Sequence, residues 1–153
     1  MKRVLFLHGW SSDGGMKTAF MRSLGYDVLT PNLSDWFFSR AVRQAEAAYI
    51  EFKPEVIVGS SRGGAVAMNM DRGDTPLILL APAWKRWGKA TSVKKNCIVI
   101  HSPHDEIVPF GDSVELCEAS GIELIAAGMD HRLNCEEGRK ALERTLASLP
   151  QPD

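Results

Sequence analysis

Nine residues, Val56-Ile57-Val58-Gly59-Ser60-Ser61-Arg62-Gly63-Gly64, constrain this chain more than any other stretch. An apolar β-branched run leads into Gly-x-Ser-x-Gly, and the small residues that follow suit the start of a packed helix. The pattern predicts a strand, a sharp turn and a helix. Glycines at 59 and 63 let the backbone turn tightly and let strand and helix approach without side-chain clash. Such a turn pushes the Ser61 hydroxyl out of the fold. Two phosphate-binding alternatives fail on residue type: a P-loop needs Lys and then Ser or Thr after its last glycine, where this chain has Ala65 and Val66. A dinucleotide fingerprint needs Gly-x-Gly-x-x-Gly, which is absent here. A tight turn with an inert serine also satisfies these residues, so the flanking chain must decide.

Elsewhere the chain supplies further runs that read as strands: Val4–Leu7, Asp27–Leu29, Leu77–Leu80, Ile98–Ile100 and Ile122–Ile125, besides Val56–Gly59. Most are continuously apolar rather than alternating, as expected of strands covered on both faces of a parallel sheet. Helical patterns separate most of them. Phe20, Met21 and Leu24 mark a helix from about Lys17 to Leu24 that stops at Gly25. Val42, Ala45, Ala48, Tyr49 and Phe52 form one stripe of a helix from about Ser39 to Phe52, ended by Lys53-Pro54. Further helices run from Arg62 to about Met70 and from about Glu136 to Leu149, the second with Asn134 and Glu137 as an expected capping box. Alternating strands and helices imply an α/β fold with a parallel sheet and helices on both faces. Sites in such folds lie beyond the carboxyl ends of the strands, where both Gly59-Ser60-Ser61 and His8-Gly9-Trp10 fall.

Bulk properties narrow the function classes. The 153 residues are expected to form one domain, spanning 1–153. With 18 Lys plus Arg against 19 Asp plus Glu, no basic field exists to hold nucleic acid or an anionic membrane. The amino-terminal apolar run is too short for a signal peptide or a membrane span, so a cytoplasmic protein is expected. Cys97, Cys117 and Cys135, three in number and widely spaced, argue against a disulfide framework or structural zinc, and are expected to be reduced, buried thiols.

A serine hydroxyl is a poor nucleophile at neutral pH unless a base accepts its proton and a third group orients that base. Downstream of Ser61 the chain offers both partners. His101-Ser102-Pro103-His104-Asp105-Glu106-Ile107-Val108-Pro109 follows the fifth strand, and Gly128-Met129-Asp130-His131 follows the sixth, in the chain order Ser, Asp, His. Asp105 and Asp130 compete for the acid role. Asp105 is preferred, because a residue adjacent to His131 points its side chain elsewhere in most backbones. His8 reads as a loop-holding residue. His101 and His104, together with Asp105, could be imagined as metal ligands, but Pro103 rules out one helical face and no Cys or carboxylate cluster of known ligand spacing accompanies them, so no metal site is expected.

With His8-Gly9 after the first strand, Gly59-x-Ser61-x-Gly63 after the third, Asp105-x-x-Val108-Pro109 after the fifth and Gly128-x-x-His131 after the sixth, nearly the whole chain resembles a compact, lidless α/β-hydrolase of the esterase type. The resemblance implies a three-layer sandwich with a six-stranded parallel sheet in the order 2-1-3-4-5-6. It implies Ser61 as nucleophile, His131 as general base and acid, and Asp105 as the group that fixes the imidazole. It also implies an oxyanion hole from the backbone N–H groups of Trp10 and Arg62. The function expected is cofactor-free hydrolysis of small carboxylic ester or thioester bonds through an acyl-enzyme intermediate. An interaction protein that keeps the scaffold without efficient turnover is the alternative, since fold does not fix function.

Only the run from Pro82 to Asn96 stands where related enzymes often insert a lid. Trp84 and Trp87 in that run, with Trp36, Phe37 and Phe38, are candidates to wall an open cleft, and about half of them are expected in the core. Lys85, Arg86, Lys89, Lys94 and Lys95 near the same run, and Arg62 beside the nucleophile, fit an acidic or phosphate-bearing substrate or a solvated basic face.

Overall fold

The computed structural model describes residues 2–10 and 15–149. Among these residues six strands form one all-parallel sheet: β1 (Arg3–Leu7), β2 (Asp27–Leu29), β3 (Val56–Ser60), β4 (Leu77–Leu80), β5 (Cys97–His101) and β6 (Glu123–Ala126). Their spatial order is β2-β1-β3-β4-β5-β6, with β3 at the centre beside β1 and β4. Among the described residues five helices flank it: α1 (Gly15–Ser23), α2 (Phe38–Phe52), α3 (Arg62–Asn69), α4 (Phe110–Ser120) and α5 (Glu136–Ser148).

The continuous apolar runs bury both faces of the sheet because successive side chains point opposite ways. Leu5, Leu7, Ile57, Leu77, Leu79 and Val99 pack on one face with Ala41 and Ala45 of α2, Val66 of α3 and Leu116 of α4. Val4, Phe6, Val58, Ile78, Leu80 and Ile100 pack on the other with Met21 of α1 and Leu142 and Leu146 of α5. The result is the three-layer sandwich anticipated from the strand pattern.

The differences are local. The strand expected over Ile122–Ile125 lies one residue later, because the Ile122 N–H is drawn back to the Cys117 carbonyl where α4 closes. Helix α4 itself has no counterpart in the apolar periodicity, since its inner face carries the buried hydroxyl of Ser113 beside Leu116 and Cys117. The capping box at Asn134 does not form. Cys135 is the N-cap of α5 without a side-chain hydrogen bond, which puts Glu137 one position too early to reach back, and its Oε1 instead accepts from the Gly128 N–H at 2.9 Å. Cys97 and Cys117 are buried and Cys135 only half-buried, all three as free thiols. Burial pushes the first two thiols up, to about 12 and about 11, which leaves them poor nucleophiles. No helix among the described residues is long and apolar enough to cross a membrane.

The glycines around β3 set how closely the layers approach. A Cβ at Gly59 would stand 2.7 Å from the Gly63 carbonyl oxygen, and one at Gly64 would stand 2.9 Å from Pro82 Cβ. A Cβ at Gly63 would run into the Leu7 carbonyl oxygen of β1, which is sheet backbone and cannot move aside. Gly63→Ala is therefore expected to lower unfolding stability by about 3 kcal/mol or more, whereas Gly111→Ala in α4, where an added Cβ meets nothing within 4 Å, should raise it by about 0.5–1 kcal/mol. Urea unfolding of both variants checks the pair, and equal effects would contradict this account of the glycines.

Candidate active site

Ser61 is the residue between β3 and α3, and its backbone takes φ 55° and ψ −117°, a conformation that side chains other than glycine rarely adopt. Strain of this kind persists only where surrounding structure over-determines it. Here the Ser61 N–H donates to the Leu80 carbonyl at 2.9 Å, and the Ser61 carbonyl accepts from Gly64 and Ala83, each at 3.0 Å. The end of β4 and the first turn of α3 thus clamp the turn from both sides.

Two further strand ends bring an acid and an imidazole to that serine. After β5, Ser102 donates through Oγ to the Gly128 carbonyl at 2.9 Å, and its Oγ accepts from the His104 N–H at 3.0 Å, tying this loop to the one after β6. The Asp105 carboxylate, wholly buried, then collects four hydrogen bonds. Oδ1 accepts from the N–H groups of Ile107 (2.7 Å) and Val108 (2.8 Å), and Oδ2 accepts from His131 Nδ1 (2.7 Å) and His101 Nε2 (3.0 Å). Burial pushes its pKa up, but the bonds from His131, Val108 and Ile107 outweigh burial and hold it below the ordinary carboxyl value. Because the carboxylate can only accept, Nδ1 of His131 carries the proton and Nε2 presents its lone pair. Nε2 lies 2.9 Å from Ser61 Oγ. This chain of contacts can move the serine proton onto His131 while Asp105 holds the resulting imidazolium.

The loop carrying His131 is fixed independently of the serine. Asp130 spends its Oδ1 on the N–H groups of Arg132 (3.1 Å) and Leu133 (3.2 Å), so it shapes the turn and is not the orienting acid. Lys17 of α1 donates to the Arg132 carbonyl and, at 3.3 Å, to Asn134 Oδ1. Burial lowers the Lys17 ammonium to about 8. His8 is buried with Nδ1 2.8 Å from the Gly9 carbonyl, consistent with holding the loop after β1.

His101 is the site residue that sequence reasoning passed over, having weighed it only as a metal ligand. Wholly buried at the end of β5, it lies with Nε2 3.0 Å from both Asp105 Oδ2 and the Val108 carbonyl, and Nδ1 2.6 Å from Ser113 Oγ. Both partners of Nε2 are acceptors, so Nε2 carries the proton and Nδ1 accepts from the serine. A histidine at the last position of a strand, four residues before the candidate acid, was the available signal. Among the described residues no cluster of three or more His, Cys, Asp or Glu side chains could hold a metal ion.

The Ser61–His131 pair opens onto a cleft of ≈ 1660 Å³ walled by Trp10, Trp36 and Trp87, with Lys85 and Arg86 at its rim. Of the other candidate aromatics, Trp84 is core and donates to the Asp112 carbonyl at 3.0 Å, Phe37 lies under Arg40 at 5.3 Å, and Phe38 stacks on Trp87 with centroids 6.0 Å apart. Trp10 is more than half exposed, and its indole donates to the Asp35 carbonyl at 3.1 Å.

No protein-family model matches the chain, and no curated protein matches it in sequence. Solved structures do resemble it. Alpha/beta hydrolase domain-containing protein 10 from mouse superposes with a TM-score of 0.74 at 16% identity, over 95% of this chain and 88% of that one. A Xanthomonas campestris protein of the alpha/beta hydrolase superfamily gives 0.71 at 23% identity, over 97% and 100%. Est1E from Butyrivibrio proteoclasticus gives 0.73 at 15%, over 95% and 85%. At such identities the likeness bears on fold.

Burial lowers the His101 pKa below its ordinary 6.5, against the pull of Asp105 and Val108. As pH falls below about 6.5 the unfolded chain binds that proton before the folded one does, so stability falls with pH through this window. The depressed Asp105 carboxyl contributes separately, with stability present above its ordinary 3.8 and lost as pH drops through the lower folded value. His101→Leu should cost about 1–3 kcal/mol at neutral pH and flatten the decline between about pH 6.5 and 5. Thermal melts across that range check it; an unchanged slope would contradict the buried, neutral His101.

Proposed function

The chain folds as an α/β-hydrolase, and from that premise we propose that it is a serine hydrolase cleaving small carboxylic ester or thioester bonds through an acyl-enzyme intermediate. The observation that carries this reading is the continuous line Asp105 Oδ2, His131 Nδ1, His131 Nε2, Ser61 Oγ, with steps of 2.7 and 2.9 Å, at the carboxyl ends of three strands and open to a cleft. A structural histidine would not need its tautomer set so that its free lone pair faces a strained serine.

In this reading, Ser61 Oγ attacks the ester carbonyl carbon as its proton passes to His131 Nε2. The carbonyl oxygen becomes an oxyanion, and the backbone N–H groups of Arg62 and Trp10 are its assigned donors. The intermediate collapses, the bond to the leaving oxygen or sulfur breaks, and His131 gives its proton to that atom. Water then attacks the acyl-enzyme, losing its proton to His131, which returns it to Ser61 Oγ as the acid leaves. Asp105 stays ionised throughout and stabilises the imidazolium. No cofactor takes part, and the substrate is a small molecule.

Hydrolysis of short-chain p-nitrophenyl esters and acyl thioesters tests the proposal. Ser61→Ala and His131→Ala should each lower kcat by about 10⁴-fold or more, and Asp105→Asn by about 10⁴-fold through the wrong imidazole tautomer. A folded wild type without activity on any of these substrates would instead favour the non-catalytic interaction protein.

A further inference from the structure

We propose that the side chain of Arg62 recognises a carboxylate carried by the substrate, placing an anionic group beside the bond that Ser61 attacks. This rests on the hydrolase reading and names the class of ester. Arg62 is the first residue of α3, adjacent to Ser61, and it lines the cleft while only 2% exposed. Two of its nitrogens, Nε and Nη2, are buried without any hydrogen-bond partner. Those two atoms form one edge of the guanidinium, the edge that matches the two oxygens of a carboxylate through parallel N–H donors.

What holds the group in place is aromatic. The guanidinium lies 4.8 Å from the Trp87 ring centroid and 5.6 Å from that of Phe38. Ring faces attract a cation and leave its donors unused. Burial lowers the Arg62 pKa, against the field of Asp35, yet a guanidinium remains charged at any physiological pH. A buried charge with unfilled donors is costly unless something else fills them, and here no hydrogen bond from Nε or Nη2 must be broken when the fork turns toward a ligand in the cleft.

The surroundings agree in sign. Lys17, Lys85, Arg86 and Arg132 line the same cleft against Asp35 and Asp112, although the chain as a whole carries a net charge of −1. Lys85 is committed to Asp112 at 3.5 Å and Glu115 at 3.0 Å, and Lys17 to the loop after β6. Arg86 is exposed. Arg62 alone combines burial, unfilled donors and adjacency to the serine. A shallow basic rim draws anions in, whereas a desolvated fork discriminates among them.

The test compares p-nitrophenyl hemiglutarate with the neutral p-nitrophenyl valerate, reading the ratio of their kcat/KM values. In the wild type the ratio should favour the anionic ester, and Arg62→Met should lower it by about 10- to 100-fold, the worth of a charge-assisted pair. Arg62→Lys, which keeps the charge without the two-pronged edge, should fall between them, and it carries the test if Arg62→Met does not fold. A ratio equal in wild type and variants, or an anionic preference that survives Arg62→Met, would overturn the assignment. A second arm needs no turnover: glutarate binding to Ser61→Ala by calorimetry should be lost on adding Arg62→Met. Arg62-dependent glutarate binding by a protein that hydrolyses neither ester would sustain the anion site while the hydrolase reading fails. Hydrolysis of both esters without Arg62 dependence would do the reverse. Inorganic phosphate bound in preference to glutarate would overturn the carboxylate assignment.

Discussion

The left-handed backbone at Ser61 is the constraint on which the rest of the site depends. A serine at φ 55° and ψ −117° sits at an energy cost of order 1–3 kcal/mol, and the fold has to supply the force that keeps it there. That force comes from two directions. The parallel sheet fixes β3 between β1 and β4, and the N-terminal turn of α3 presses on β1 so closely that Gly63 has no room for a Cβ against the Leu7 carbonyl. Relaxing the turn would mean lifting a helix off a sheet whose central strands are buried on both faces.

Electrostatics around Asp105 supply the second requirement. A wholly buried carboxylate is unfavourable by itself, and here four donors from two backbone amides and two histidines reverse the balance. Each histidine is in turn fixed by what it faces. His131 points its proton at the acid and its lone pair at Ser61, whereas His101 points its proton at the acid and its lone pair at Ser113. The same acceptor thus sets two tautomers, one facing the cleft and one facing the core. His101 acts only through Asp105 and positions it, with Ser113 of α4 as its own anchor.

Much of this was legible in the residues. Val4–Leu7, Val56–Val58 and Leu77–Leu80 read as strands because runs without alternation have no polar face to offer water, and the structure buries every one of their side chains. Ser61, Asp105 and His131 stood out by their place after strands three, five and six, and the structure brings these three side chains together. Less was legible where polar residues lie inside. Helix α4 escaped the apolar periodicity because Ser113 occupies its buried face, and His101 escaped as a positioning residue because its partner Ser113 lies on that unrecognised helix. The role of Glu137 depended on the Gly128 amide nine residues before it, a contact that no local capping pattern encodes. Arg62 was visible as a charge beside the nucleophile, but its burial against the stacked rings of Phe38 and Trp87 came only with the packing of α2 and the segment after β4.

The central claim is that strain at Ser61 and the tautomer of His131 together make one hydroxyl of this chain nucleophilic. The most direct measurement is intact-protein mass spectrometry after exposure to a fluorophosphonate, followed by peptide mapping. The account predicts one adduct per chain, located at Ser61, absent from Ser61→Ala and from His131→Ala. A folded wild type that takes up no adduct, or takes it up at another serine, would contradict it.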